Sequence, residues 1–170
     1  MKTKIKLIAP IIALFFLAAS CTDETTSESK DLQLSVQLKS DSGCKHLKSS
    51  AINTSASESC LEYSFNQETE KLTLKHINAG FNCCPESLWC TVVYRNDSII
   101  VQEHEKHMGC KCNCLYDLDI EINGVEAGSY KFRLLEPYLG TQMPLTFTFD
   151  LKTKPQGSFC VSRSNYPWGM

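Results

Sequence analysis

Tyr116-Asp117-Leu118-Asp119-Ile120-Glu121-Ile122 alternates apolar and acidic residues without a break, and Asn123-Gly124-Val125-Glu126-Ala127-Gly128-Ser129-Tyr130 follows it directly. Side chains on a β-strand point to opposite faces in turn. The run is therefore a half-buried strand, with Tyr116, Leu118, Ile120 and Ile122 on the core side. The same period recurs on either side. Leu32, Leu34, Val36 and Leu38 alternate with polar residues, as do Leu61, Tyr63 and Phe65, and then Leu72 and Leu74. Leu88, Cys90, Val92 and Tyr94 lead through Arg95-Asn96-Asp97 into Ser98-Ile99-Ile100-Val101. Asn and Asp both tolerate positive φ, so this pair between two β-rich runs predicts a hairpin. Tyr130, Phe132 and Leu134 come next, then Leu145, Phe147, Phe149 and Leu151, and last residues 158–162. No segment has a helical period of 3.6 residues. About seven to eight short strands with frequent turns predict an all-β antiparallel sandwich.

The segment from Ile122 to Tyr130 narrows the expectation. It resembles the strand corner of fibronectin type III and immunoglobulin-like domains. There an apolar residue plugs the corner, a glycine turns the chain and a tyrosine hydroxyl bonds back to the upstream backbone. Val125, Gly128 and Tyr130 stand at those places. The resemblance implies a fold, not an activity.

Of the ten cysteines, Cys21 has a separate role argued below. The other nine are Cys44, Cys60, Cys83, Cys84, Cys90, Cys110, Cys112, Cys114 and Cys160. Nine is odd, so at least one thiol stays free, pairs between chains or holds something else. If the strand through Tyr116 extends back to Cys110, then Cys110, Cys112 and Cys114 share its apolar face. Same-face neighbours on a strand lie about 6.7 Å apart, whereas bridged Cβ atoms lie about 3.8 Å apart. These three therefore do not bridge one another. Cys83, Cys84, Cys90 and Cys160 form the evident pool of partners. Adjacent Cys83 and Cys84 point to opposite faces of an extended chain and are expected to reach for distant partners. A metal site is the alternative, with His104, His107, Cys110, Cys112 and Cys114 as ligands for zinc or copper. Against it, one residue between paired cysteines is short of the usual zinc spacing. Thiol redox chemistry lacks a Cys-x-x-Cys motif. The primary expectation is a set of structural disulfides, with no cofactor.

The N-terminal residues concern address. Lys2, Lys4 and Lys6 precede an apolar run at residues 7–19, broken only by Pro10. That is the length of a signal h-region and short for a bilayer span. Ala18-Ala19-Ser20 then leads to Cys21. This resembles the lipobox of bacterial lipoproteins, with Ala18 where leucine is common and Leu17 one place early. The resemblance implies cleavage before Cys21 and lipidation of its thiol, a membrane anchor of several acyl chains. Residues 22–31 carry no apolar side chain and read as an acidic tether. Acidic residues this close to Cys21 resemble the surface-export signal of Bacteroidota lipoproteins. The expected organisation is signal peptide 1–20, flexible tether 21–31 and one β-sandwich domain 32–170. Three of the 17 Lys and Arg lie in the signal and all 19 Asp and Glu lie after it, so the exported part carries −5 with histidine neutral. No basic stripe appears, which excludes nucleic acid as the expected partner. An exported, oxidising setting is where disulfides persist.

Asn82-Cys83-Cys84-Pro85, Cys110-x-Cys112-x-Cys114-Leu115-Tyr116-Asp117-Leu118, Glu136-Pro137-Tyr138 and Phe159-Cys160-Val161-x-Arg163-x-x-Tyr166-Pro167-Trp168-Gly169 resemble a group of small Bacteroidota lipoproteins. The resemblance covers about the last hundred residues and implies no particular activity. Motifs for hydrolysis, metalloproteolysis or phosphate binding are missing: there is no Gly-x-Ser-x-Gly, His-Glu-x-x-His or Walker pattern. Asp117, Asp119 and Glu121 read as a solvated strand face. Tyr166 and Trp168 are candidates for a binding surface toward a glycan or protein. The expected class is a non-catalytic binding or envelope accessory protein anchored at the outer membrane. The alternative is a thiol-based metal-binding or redox lipoprotein.

Overall fold

A computed structural model describes residues 32–45, 57–107 and 109–164, and within that range the side chain of His107 is not described. The expected signal and tether, with Cys21, and the candidate surface residues Tyr166 and Trp168 lie outside the described residues. The alternating runs form nine strands: β1 (Ser35–Asp41), β2 (Glu58–Asn66), β3 (Lys71–Asn82), β4 (Pro85–Arg95), β5 (Ser98–His107), β6 (Asn113–Asn123), β7 (Ser129–Leu135), β8 (Thr146–Asp150) and β9 (Gln156–Ser162). No helix occurs among the described residues. Two sheets form, in the orders β1-β6-β3-β2-β9 and β4-β5-β7-β8.

The sheets close on the apolar rows that period two selects. Tyr116, Leu118, Ile120 and Ile122 of β6 are buried against Leu72 and Leu74 of β3, Ile99 and Val101 of β5, and Phe132 and Leu134 of β7. An aromatic group spans the two sheets. Tyr63 of β2 meets Phe149 of β8 at 5.2 Å, and Phe147 of β8 stacks on Phe159 of β9 at 4.8 Å. The chain is an all-β sandwich. Its neighbouring strands are antiparallel with one exception: β5 and β7 run parallel, Ser98 opposite Lys131 through Gln102 opposite Leu135. That pair departs from the antiparallel sandwich expected from the run of short strands and turns. It arises because β6, the connection between them, lies in the other sheet.

Two local expectations hold. Asn96 and Asp97 both take positive φ (49° and 54°) in the tight turn joining β4 to β5. At the corner, Tyr130 donates its hydroxyl to the Glu126 carbonyl at 2.9 Å, and Val125 is fully buried. The glycine that turns the chain is Gly124, at φ 81°, and not the expected Gly128, whose φ is outside the left-handed region; a Cβ at Gly124 would stand 2.5 Å from the Gln33 carbonyl oxygen. A Tyr130→Phe variant removes a single hydrogen bond with little change in packing. Its loss should be about 1 kcal/mol in urea unfolding.

One expectation is corrected. β6 begins at Asn113, not at Cys110. Its partner strand β3 ends at Asn82, opposite Asn113, so no ladder remains to hold residues 110–112 extended. Only Cys114 joins the inward row of β6, while Cys110 and Cys112 are exposed in the β5–β6 loop. β3 carries a second irregularity: its register shifts between Ile77 and Ala79, with Asn78 at φ 63°. The extra residue keeps His76 and Phe81 both facing the core, although five positions separate them.

Candidate functional site

Strand direction gathers the chemically active side chains at one end of the sandwich. The ends of β3, β5, β7 and β9 and the starts of β2, β4 and β6 meet there, opposite the tyrosine corner. Two constellations occupy this end.

The first is a buried ionic network. On β5 the inward positions run Ile99, Val101, Glu103, Glu105, so the core-facing row turns acidic halfway along the strand. On β3 the inward row Leu72, Leu74 continues into His76. His76 Nδ1 lies 2.7 Å from Glu103 Oε1, and His76 Nε2 lies 2.9 Å from Ser59 Oγ and 3.8 Å from Glu136 Oε1. Arg163, just past β9, donates through Nη2 to both Glu136 oxygens (2.8 and 2.7 Å) and through Nη1 to the Met143 carbonyl at 2.7 Å. The two cations come from the five-stranded sheet and its β9 end. The two carboxylates come from the four-stranded sheet and its β7 end. Each layer thus supplies one sign of charge, and the network clamps the layers together.

Ser59, His76 and Glu103 stand in the contact order of a hydrolytic relay. Two features oppose that use. Ser59 and His76 are both 0% exposed. The neighbouring cleft of about 220 Å³ has Glu103, Glu105, Leu135 and Glu136 among its walls, but neither Ser59 nor His76. Burial pulls the His76 pKa down, but the Glu103 charge and hydrogen bond, with Glu136 behind them, outweigh it and hold the value above the ordinary one. That direction favours the protonated ring, the form that donates from both nitrogens and has no lone pair for a serine proton. Burial pushes the Glu136 carboxyl up against the opposing pull of His76 and Arg163.

The sign of the pH dependence follows. A histidine whose folded pKa exceeds its unfolded value contributes stability that is complete below about pH 6.5 and lost as pH rises through the folded value. The raised Glu136 value acts in the same direction. The urea midpoint, measured without reductant, should fall as pH is raised above about 6.5, and His76→Gln should flatten that fall. A midpoint that rises with pH over that range would contradict the arrangement.

Glu103 Oε2 has no hydrogen-bond partner among the described residues. Cys90 faces it across the β4–β5 ladder. Burial, and then the Glu103 charge, push the Cys90 thiol far up, so it is protonated and unreactive. Nearer the rim, Glu105 accepts the Asn82 backbone N–H at 2.8 Å and binds the Tyr138 hydroxyl. Burial, with that hydrogen bond, pushes the Tyr138 pKa up to about 12.

The second constellation is sulfur. Four bridges join Cys44 to Cys114, Cys60 to Cys160, Cys83 to Cys112 and Cys84 to Cys110, and Cys90 is free and buried. Cys60 and Cys160 are directly opposed across β2 and β9. As expected, Cys110, Cys112 and Cys114 do not pair with one another, and Cys83 and Cys84 take separate distant partners. The expected pool of partners for Cys110, Cys112 and Cys114 needs correcting: Cys83 and Cys84 serve Cys112 and Cys110, but Cys114 takes Cys44 from outside the pool, Cys160 bridges Cys60 instead, and Cys90 stays free. The Sγ atoms of Cys83, Cys84 and Cys110 all lie within 4.8 Å of one another.

His104 is on the outer face of β5, where it stacks on exposed Trp89 at 5.2 Å and meets Thr91 Oγ1 at 2.9 Å. The sulfur group contains no histidine among the described residues. Asp117, Asp119 and Glu121, on the outer face of β6, meet Lys45, Ser40 and Lys71 in turn. The sequence reading missed Ser59, His76 and Glu103. It quoted Glu136 and Arg163 only within motifs. A signal was present for His76 and Glu103, since both hold core-face positions in period-two rows.

The fold and its bridges define a disulfide-stapled β-sandwich. No known protein family, curated protein or solved structure matches the chain.

Proposed function

We propose that the chain is an exported bacterial lipoprotein, anchored through Cys21, whose stapled sandwich is a non-catalytic binding or accessory domain of the cell envelope. The observation that carries this reading is the pairing of eight cysteines into four bridges. Such bridges persist in oxidising compartments and are rare where thiols are kept reduced. The lysine-rich start, the apolar run and the small residues before Cys21 supply the export route. The anchor places the domain at the outer membrane, facing the periplasm or the cell surface, where a protein or a glycan is within reach. The closed Ser59–His76 pair, unreachable from the cleft, supports a role without catalysis. Resemblance to small Bacteroidota lipoproteins agrees with this address.

The test is metabolic labelling with a fatty acid in an exporting bacterial host. The unaltered chain should carry label, partition with membranes and weigh about 2 Da less per bridge than its reduced form. Cys21→Ala should lose the label and enter the aqueous fraction. An unlabelled native chain, or one recovered with nine reduced thiols, would sink the proposal.

A further inference from the structure

The two bridges at the rim have an arrangement that staples alone do not require. Cys83 and Cys84 are adjacent at the β3–β4 junction, and Cys110 and Cys112 flank a single residue in the facing β5–β6 loop. None of these four residues is buried, whereas each of the other bridges has one buried cysteine, Cys114 or Cys60. The loops are also held together without sulfur. Cys83 N donates to the Cys112 carbonyl at 2.9 Å, and Asn82 Nδ2 donates to the Cys110 carbonyl at 2.8 Å. Asn82 Oδ1 accepts the Cys84 N–H at 3.1 Å, and the Tyr116 hydroxyl donates to the Asn82 carbonyl at 3.0 Å. Opening the two bridges therefore leaves the two loops held together, with three of the four sulfurs already grouped.

We propose that Cys83, Cys84, Cys110 and Cys112, once reduced, form a four-thiolate site for one soft divalent cation of the zinc class. A tetrahedral ion with bonds of about 2.3 Å holds its sulfurs about 3.8 Å apart. Three of the four sulfurs already lie within 4.8 Å of each other, and the fourth, on Cys112, belongs to the bridge with Cys83. Once its bridge to Cys83 opens, the Cys112 side chain, on an exposed loop residue, has to swing toward the other three sulfurs. Short Cys-x-Cys spacing argues against a knuckle built from one loop, but here each loop supplies two ligands to a shared centre. Cys114 is excluded because it is buried and bridged to Cys44.

Each rim bridge takes two electrons and two protons from an external dithiol, which leaves as its own disulfide. The cation then displaces the four thiol protons and is held as a tetrathiolate of charge −2. Loss of the ion and oxidation by a disulfide restore both bridges. Lys111, between two of the ligands, places a cation close to the thiolates in sequence. The site makes the stapled domain a reversible carrier of a soft metal, set by the redox poise around it. It does not depend on the anchor, so Cys21→Ala should bind the ion unchanged, and a failure of lipidation would leave this inference standing.

The experiment uses the full exported chain in detergent, reduced with a dithiol, freed of reductant without air and titrated with Cd²⁺ as the probe. One Cd²⁺ per chain should be retained in native mass spectra, with a thiolate-to-cadmium charge-transfer band. Bound Cd²⁺ should shield Cys83, Cys84, Cys110 and Cys112 from alkylation. Cys110→Ser with Cys112→Ser should weaken binding at least tenfold, while Cys90→Ser leaves it unchanged. If the double variant does not fold, the protection map on the unaltered chain decides. Retention of no Cd²⁺, equal binding by the double variant, or protection mapped to other cysteines would overturn the proposal.

Discussion

An Arg163→Met variant should lose about 3–5 kcal/mol of unfolding free energy at neutral pH, the range for stripping one partner from a buried ion pair. The side chains of Arg163 and Glu136 are 0% and 2% exposed. Without the guanidinium, the Glu136 carboxylate keeps His76, at 3.8 Å, as its nearby cation among the described residues. Burial already pushes its carboxyl up. The variant is therefore expected to bind a proton there, and the loss should shrink as pH falls and Glu136 neutralises. Adding Glu136→Leu should recover much of the stability, because two apolar residues can replace a buried pair with little penalty. Urea unfolding of the single and double variants without reductant measures both terms. A loss under 1 kcal/mol at neutral pH would mean that the network contributes little to joining the sheets.

Replacing Cys60 and Cys160 together by serine should be comparably damaging. The bridge links residues 100 apart in sequence. Chain-entropy reasoning assigns a loop of that length about 4.7 kcal/mol, against about 3.5 kcal/mol for the 26-residue separation of Cys84 and Cys110. The position adds to the effect. β9 is an edge strand with β2 as its single neighbour, and Arg163 follows it directly. Freeing β9 thus also loosens the Arg163–Glu136 contact. The two perturbations share an element and should not add when combined. Denaturation of the double-serine chain, with the other bridges intact, should show the larger loss. Equal losses for the two bridges would point away from loop length as the cause.

Much of the sandwich was legible because alternation identifies faces. Tyr116, Leu118, Ile120 and Ile122 read as core and are core. Asn96-Asp97 read as a turn, and the Tyr130 corner closes as its spacing implied. The face argument also ruled out bridges among Cys110, Cys112 and Cys114. It failed at Cys110 and Cys112 because it assumed a strand that loses its neighbour at Asn82. The bulge at Asn78 escaped notice for a related reason: parity counted from Leu74 does not carry past an inserted residue.

By itself the sequence determined strand periods, the tyrosine of the corner, the odd count of nine cysteines after Cys21, and the charge of the chain beyond residue 20. These are local or compositional properties, set by which way each side chain points and by what residues are present. Only the tertiary structure decided that Cys60 meets Cys160, that Cys90 stays buried and free, and that His76 lies between Glu103 and Glu136. Alternation tells which face a residue occupies but not which strand lies across the core from it. A buried charge such as Glu103 reads in sequence like any polar residue on a strand until the opposite sheet brings His76 to within 2.7 Å of it.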